Sequence, residues 1–168
     1  ANDFGTPGVA EHCHAIDSRL QADAFSREVR LRMLQCVAMG QPLSIAIVGG
    51  GATGVELAAE LVQLTETAEA YGATGLGERL TITLVEAGPR LLASFPQDIS
   101  EAALRRLRAL GVRVRTDTQV KAALAEGFRR ARGEVIVSID SDSVIDAGTL
   151  LAMAGPFRDP KVGAVAGK

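Results

Sequence analysis

The chain has 168 residues, 47% of them apolar, and a formal net charge of -2. That length allows one domain or two very small ones, and the composition is that of a globular chain able to bury a core. Lys and Arg number 18 against 20 for Asp and Glu, which argues against nucleic acid as the main partner because phosphate contacts need a basic face.

Residues 1–17 read as irregular, since Gly5, Pro7 and Gly8 break any regular pattern. Asp17 and Ser18 offer N-caps for a helix from Arg19 to about Met39, with Leu20, Ala24, Leu31, Leu34 and Val37 near helical spacing. Gly40 and Pro42 stop it. From Leu43 the pattern changes, and Ile45 to Val48 is a short, wholly apolar run of the kind seen in strands buried on both faces. Glycines follow at once, then a helical pattern through Val55, Leu57, Ala58, Leu61 and Val62. Leu80 to Val85 is a second strand, and Pro96 to Leu110 a helix with Ile99, Ala103, Leu107 and Leu110 on one side. Val112 to Val114 makes a third strand, residues 120–132 a helix, and Val135 to Ile139 a fourth strand. A helix over about 147–154 and a fifth strand at Val162 to Val165 complete the series. Strands alternating with helices imply an α/β fold with a parallel sheet and right-handed crossovers. The expected architecture is a Rossmann-like, doubly wound sheet of order 3-2-1-4-5, with an extra N-terminal helix and a single domain over 1–168.

The run Gly49-Gly50-Gly51-Ala52-Thr53-Gly54 stands between the first apolar strand and a helix. In that context the GxGxxG spacing of Gly49, Gly51 and Gly54 has a mechanical meaning. Gly49 permits a tight turn, Gly51 lets a pyrophosphate approach the backbone, and Gly54 lets the helix pack close to the strand. The helix start offers free N–H groups and the positive end of a dipole to phosphates. Glu86, at the end of the next strand, is placed to accept from a ribose 2′-hydroxyl and to repel a 2′-phosphate, which favours NAD over NADP. It lies further along than the usual separation of roughly 20 residues, and the Gly-containing segment 66–79 absorbs the excess. A Gly-rich turn without a ligand is the plain alternative.

The run from Ile45 to Leu61, together with Asn2 to His12 and Leu84 to Leu92, resembles the NAD(H)-binding domain of type II NADH:quinone dehydrogenases. These belong to the pyridine nucleotide–disulfide oxidoreductase class, and the resemblance covers about residues 1–120. It implies that Glu86 is the ribose acid and that Glu56 lies near the nicotinamide. From spacing alone, Glu56 is equally a solvated first-turn glutamate at a helix N-terminus. The resemblance also implies FAD as hydride acceptor. The family's FAD-binding segments and membrane anchor are not in these residues, so nucleotide binding rather than turnover is expected.

From Lys121 to Ser143, and again from Arg158 to Lys168, the chain resembles a family-2 GT-A glycosyltransferase of the chitin-oligosaccharide and hyaluronan synthase kind. That resemblance implies that Asp140 and Asp142 form a DxD motif holding Mg²⁺ or Mn²⁺ on the diphosphate of a UDP-sugar. Hard carboxylate oxygens suit such ions. Two solvated loop aspartates are the alternative. The two resemblances together suggest a chimera, with the segments 1–120 and 121–168 sharing one sheet.

The remaining candidates read as structural. His12-Cys13-His14 alternates sides if extended, with no second ligand cluster, so no metal is expected there. Cys36 reads as a small packed residue, and neither cysteine has a CxxC partner. Arg105, Arg106 and Arg108 read as a solvated helix face, as do Arg129, Arg130 and Arg132. Ser138, Ser141 and Ser143 lack a GxSxG elbow, so a hydrolase is not indicated. No apolar run approaches the roughly 18–20 residues of a membrane helix, Ala1 to Ala10 lacks the features of a signal peptide, and a cytoplasmic setting is expected. The chain opens on Ala rather than Met, which suggests a piece of a longer protein. Three readings stay open: an NAD(H)-binding domain, a metal-dependent nucleotide-sugar-binding fragment, and a ligand-free scaffold.

Overall fold

A computed structural model describes residues 13–16 and 18–118, and the backbone of 134–138. The N-terminal dehydrogenase-like run 2–12, the helices expected at 120–132 and 147–154, the strand at 162–165, and Asp140 and Asp142 lie outside the described residues.

The described elements are, in chain order, strand β1 (Cys13–Ala15), helix α1 (Arg19–Met39), strand β2 (Leu43–Val48) and helix α2 (Ala52–Ala70). The short helix α3 (Leu76–Arg79), strand β3 (Leu80–Val85), helix α4 (Gln97–Ala109), strand β4 (Arg113–Arg115) and strand β5 (Glu134–Ser138) follow. The strands form one sheet of order β1-β5-β2-β3-β4. Every pairing in it is parallel. The fold is therefore α/β, with helices linking parallel strands.

β2 is central. It pairs along its length with β3, from Leu43 opposite Leu80 to Val48 opposite Val85. On its other side it meets β5, ending at Val48 opposite Ser138. The short apolar run fits this position: Leu43, Ile45, Ile47 and Val48 are all buried, as residues of a central strand covered by helices should be.

The outermost strand beside β5 corrects an expectation. Residues 13–15 were read as irregular, yet Cys13, His14 and Ala15 pair in parallel with Ile136, Val137 and Ser138. A three-residue strand whose partner lies more than a hundred residues away carries too short a period to be seen locally.

Ser18 caps α1, its side chain accepting from the Gln21 amide at 3.3 Å, and Gly40 ends it in the left-handed conformation at φ 66°. The leucines at helical spacing in α1 do not mark its buried face. Leu20 is 80% exposed and Leu34 67%, and Leu31 is exposed too. The inward stripe is instead Ala22, Phe25, Ser26, Val29, Met33 and Cys36. Likewise Ile99 of α4 faces outward, while Ser100 and Leu107 are buried. Arg105, Arg106 and Arg108 are exposed, as a solvated face should be.

One core joins these elements. Phe25, Val29 and Met33 of α1, Ala58 and Leu61 of α2 and Leu107 of α4 pack with Ile45, Ile47, Ile82 and Leu84 of the sheet. Cys36 belongs to that core. Cys13 is half-buried, and burial pushes its thiol up to about 11, which leaves it protonated and unreactive at neutral pH. No helix among the described residues is long and apolar enough to cross a membrane.

Candidate functional site

The glycine loop leaves the carboxyl end of β2. The Gly49 amide still donates to the Val85 carbonyl at 2.9 Å, extending the β2–β3 ladder by one residue. Gly49 then turns the chain at φ 117°, a conformation open to glycine and strained for other residues. α2 begins three residues later, with Gly51 at its N-cap and no side chain capping it. The first intrahelical bond runs from the Val55 amide to the Gly51 carbonyl. The amides before Val55 therefore have no acceptor within the helix, and they lie at its positive end.

Two glycines are required by space. A Cβ on Gly54 would collide with the Gly49 carbonyl oxygen, so α2 can approach the turn this closely only with glycine there. A Cβ on Gly50 would sit 2.7 Å from Leu91 Cδ2 and 2.8 Å from Glu86 Oε2. Both positions are inside the space of neighbours that are themselves buried or bonded.

Glu86 lies against this loop rather than free at the strand end. Its Oε2 accepts from the Gly50 amide at 2.6 Å and its Oε1 from the Gly88 amide at 2.6 Å. The sequence placed Glu86 at the strand end but gave no sign of this double bond to the backbone. The next peptide, on the other side of the Gly50 Cα, is held too: the Leu92 amide donates to the Gly50 carbonyl at 2.8 Å. Leu92 adopts φ 51° to do so.

Behind that turn stands Ser100. It is buried, and its hydroxyl donates to the Leu91 carbonyl at 2.6 Å. Arg90 clasps the other side, donating to the Leu92 and Phe95 carbonyls at 3.3 and 2.9 Å. Sequence reasoning missed Gly88, Leu91, Leu92 and Ser100. The Gly88-Pro89 pair is a turn signal that could have marked the segment, but it carries no sign of where the turn bonds.

The expected site residues are thus brought together: Gly49, Gly50, Gly51 and Glu86 in the loop, and Ala52, Thr53, Gly54 and Glu56 in the first turns of α2. Thr53 and Glu56 are three residues apart and share a helix face. Thr53 Oγ1 and Glu56 Oε2 are both buried without a hydrogen-bond partner. Such atoms are uncommon and point to a missing partner group. Burial raises the Glu56 carboxyl above the usual glutamate range, and the Glu60 carboxylate one turn on pushes it the same way. The reading of Glu56 as a freely solvated first-turn glutamate does not fit this burial. Among the described residues no cluster of His, Cys, Asp or Glu could hold a metal ion.

The sheet, the glycine loop and the bonded acid define a class. The sequence profile described as pyridine nucleotide-disulphide oxidoreductase matches residues 1–164, and the chain belongs to that family. Curated relatives are more specific. A type II NADH:quinone oxidoreductase of Haemophilus influenzae is 38% identical over 141 residues, covering 73% of this chain and 32% of the relative. One from Staphylococcus aureus is 29% identical over 158 residues, covering 90% of this chain and 37% of the relative. The chain spans about a third of the length of these relatives. The structure of NDH2 from Plasmodium falciparum in complex with NADH aligns with a TM-score of 0.63 at 19% identity, over 84% of this chain and 32% of that one. The complex of the same protein with RYL-552 gives 0.64, over 83% and 32%. At that identity the likeness is one of fold. The family match continues from 121 to 164, through the segment where the transferase resemblance was placed, and nothing in these likenesses supports that resemblance or a chimera.

Two outcomes follow from the geometry. Gly54→Ala should lose at least about 3 kcal/mol of stability in urea unfolding, because its methyl has no space beside the Gly49 carbonyl; a wild-type midpoint would contradict the close packing. A carboxyl with a raised folded pKa stabilises the fold fully below its unfolded value, roughly 4.3, and that contribution is lost as pH rises through the folded value. Glu56→Gln should therefore gain on the wild type in urea midpoint between pH 4 and pH 7.5. A difference independent of pH would show that Glu56 is not desolvated.

Proposed function

We propose that the chain binds NAD(H), with the pyrophosphate on the glycine loop and the start of α2, and the adenosine ribose at Glu86. The observation that carries this is the cradle itself. Glycines that no larger residue can replace open onto an uncapped nineteen-residue helix, with a carboxylate fixed beside them. Backbone N–H groups at a helix start bind phosphate oxygens well. The names of the curated relatives, and the NADH complex among the solved neighbours, support the same reading.

In this reading Gly49 shapes the turn, Gly50 and Gly51 leave the backbone bare, and the amides of Gly51, Ala52, Thr53 and Gly54 face the pyrophosphate. Each Glu86 oxygen spends one lone pair on a backbone amide and keeps capacity for a ribose hydroxyl. A 2′-phosphate would meet the carboxylate's charge, so NAD(H) is preferred to NADP(H). Thr53, in the first turn of α2, and Glu56, three residues further along, carry unpartnered buried oxygens, and Glu56 is assigned to the nicotinamide end.

Bound NADH would supply a hydride; the residues of this chain hold and orient it. UDP-sugar and metal binding at Asp140 and Asp142, and a ligand-free scaffold, have no observation in their favour among the described residues.

The test is a fluorescence titration of the purified chain with NADH and NADPH. NADH should saturate below millimolar concentration, NADPH should bind at least about tenfold more weakly, and Glu86→Ala should weaken NADH by a similar factor, the size of about one lost charged hydrogen bond. Absence of NADH binding up to millimolar, from a chain that unfolds cooperatively, would overturn the reading.

A further inference from the structure

The glycine loop is held by a chain of contacts that reaches α4. Ser100 is 4% exposed. It sits in the first turn of α4, where its hydroxyl donates to the Leu91 carbonyl at 2.6 Å. Leu91, buried at 1% exposure, lies directly over Gly50, as the 2.7 Å approach of its Cδ2 to a Cβ built there shows. The next residue, Leu92, donates its amide to the Gly50 carbonyl at 2.8 Å. Leu92 is held at φ 51°, a conformation that a leucine keeps only when its surroundings enforce it. Among the described residues the Ser100 hydroxyl is the side-chain donor to the Leu91 carbonyl, and Arg90 secures the carbonyls on the solvent side of the same turn.

We propose that Ser100 is a positioning residue for the nucleotide cradle: by fixing the Leu91 carbonyl it holds the Leu91–Leu92 turn that clamps the Gly50–Gly51 peptide through the Gly50 carbonyl. The inference rests on the reading of the glycine loop as a dinucleotide site, and it adds a residue that touches no ligand. Without the hydroxyl, the Leu91 carbonyl is buried without its donor and Leu92 can relax out of the left-handed region. The Gly50 carbonyl then loses its partner, and the loop amides sample orientations that do not face a common phosphate. Ligand binding must select the aligned orientation from that set, so affinity falls by the fraction of time the loop is aligned.

The experiment is amide hydrogen exchange by NMR on the whole chain without ligand, for wild type, Ser100→Ala and Ser100→Cys, paired with NADH titration. The Leu92 and Gly50 amides should exchange about tenfold faster in Ser100→Ala, while the Ile45 and Ile47 amides of β2 stay as in wild type. A merely structural loss would instead accelerate all four together. Ser100→Cys, with a weaker donor of similar size, should fall between the two, and it decides the matter should the alanine variant fail to fold. NADH affinity should drop about fivefold in Ser100→Ala, in proportion to the lost alignment. Wild-type exchange at Leu92 and Gly50 in both variants would overturn the proposal, as would faster exchange with unchanged NADH affinity. A wild-type chain that binds no NADH would sink the dinucleotide reading instead, and the exchange rates would still decide whether Ser100 holds the loop.

Discussion

The structure depends on the two peptide groups that flank the Gly50 Cα being held, one on each side. The Gly50 N–H is bonded to a Glu86 oxygen and the Gly50 carbonyl to the Leu92 amide. Each peptide unit is rigid and planar, so one bond on each restrains the two planes that meet at the Gly50 Cα and leaves little freedom to the rotations between them. The bond to Glu86 is charge-assisted, a kind worth about 1.5–3 kcal/mol, and the other carboxylate oxygen repeats it at Gly88. The acid is therefore part of the loop's frame as well as a candidate contact for a ribose. A phosphate-binding loop gains from this, since amides already aimed at one point need no reorganisation when the anion arrives.

The sheet decides where that loop stands. β2 continues into the loop between β3 on one side and β5 on the other. The connection through α2 leads toward β3, while β5 occupies the opposite flank. The crevice at such a point, beyond the carboxyl ends of parallel strands, is where open α/β sheets take ligands. α2 can lie close to the turn because Gly54 presents no Cβ to the Gly49 carbonyl. The same closeness brings the helix start, with its unsatisfied amides, to the mouth of the crevice. Packing and chemistry are thus one constraint, since a larger residue at Gly54 would move the helix and misplace the amides together.

Much of this was legible from residues alone, and the failures have physical reasons. The strands at Leu43–Val48 and Leu80–Val85 stood out because each carries short apolar segments, as strands covered by helices do. The glycine loop stood out because its spacing sits between such a strand and a helix. The buried face of α1 was not legible because the helix carries two apolar stripes, and the larger leucines at 20, 31 and 34 lie on the outer one. Which stripe faces the core is settled by the sheet, not by the helix. β1 was missed because three residues, one of them His14, show no period until a distant strand pairs with them. Glu86 was found by position at a strand end, but its bond to Gly50 spans 36 residues. Ser100 was invisible for the same reason: a serine in an amphipathic helix reads as surface until a buried carbonyl is placed against it.

The central claim is that the Gly49–Gly54 backbone, framed by Glu86, is a preformed cradle for a dinucleotide. The most direct measurement is a map of backbone amide shifts in an isotope-labelled chain as NADH is added. The account predicts the largest changes at Gly50 to Gly54 and at Gly88, with the amides of α1 unmoved. Changes confined to other segments, with the glycine loop silent at saturating NADH, would contradict it.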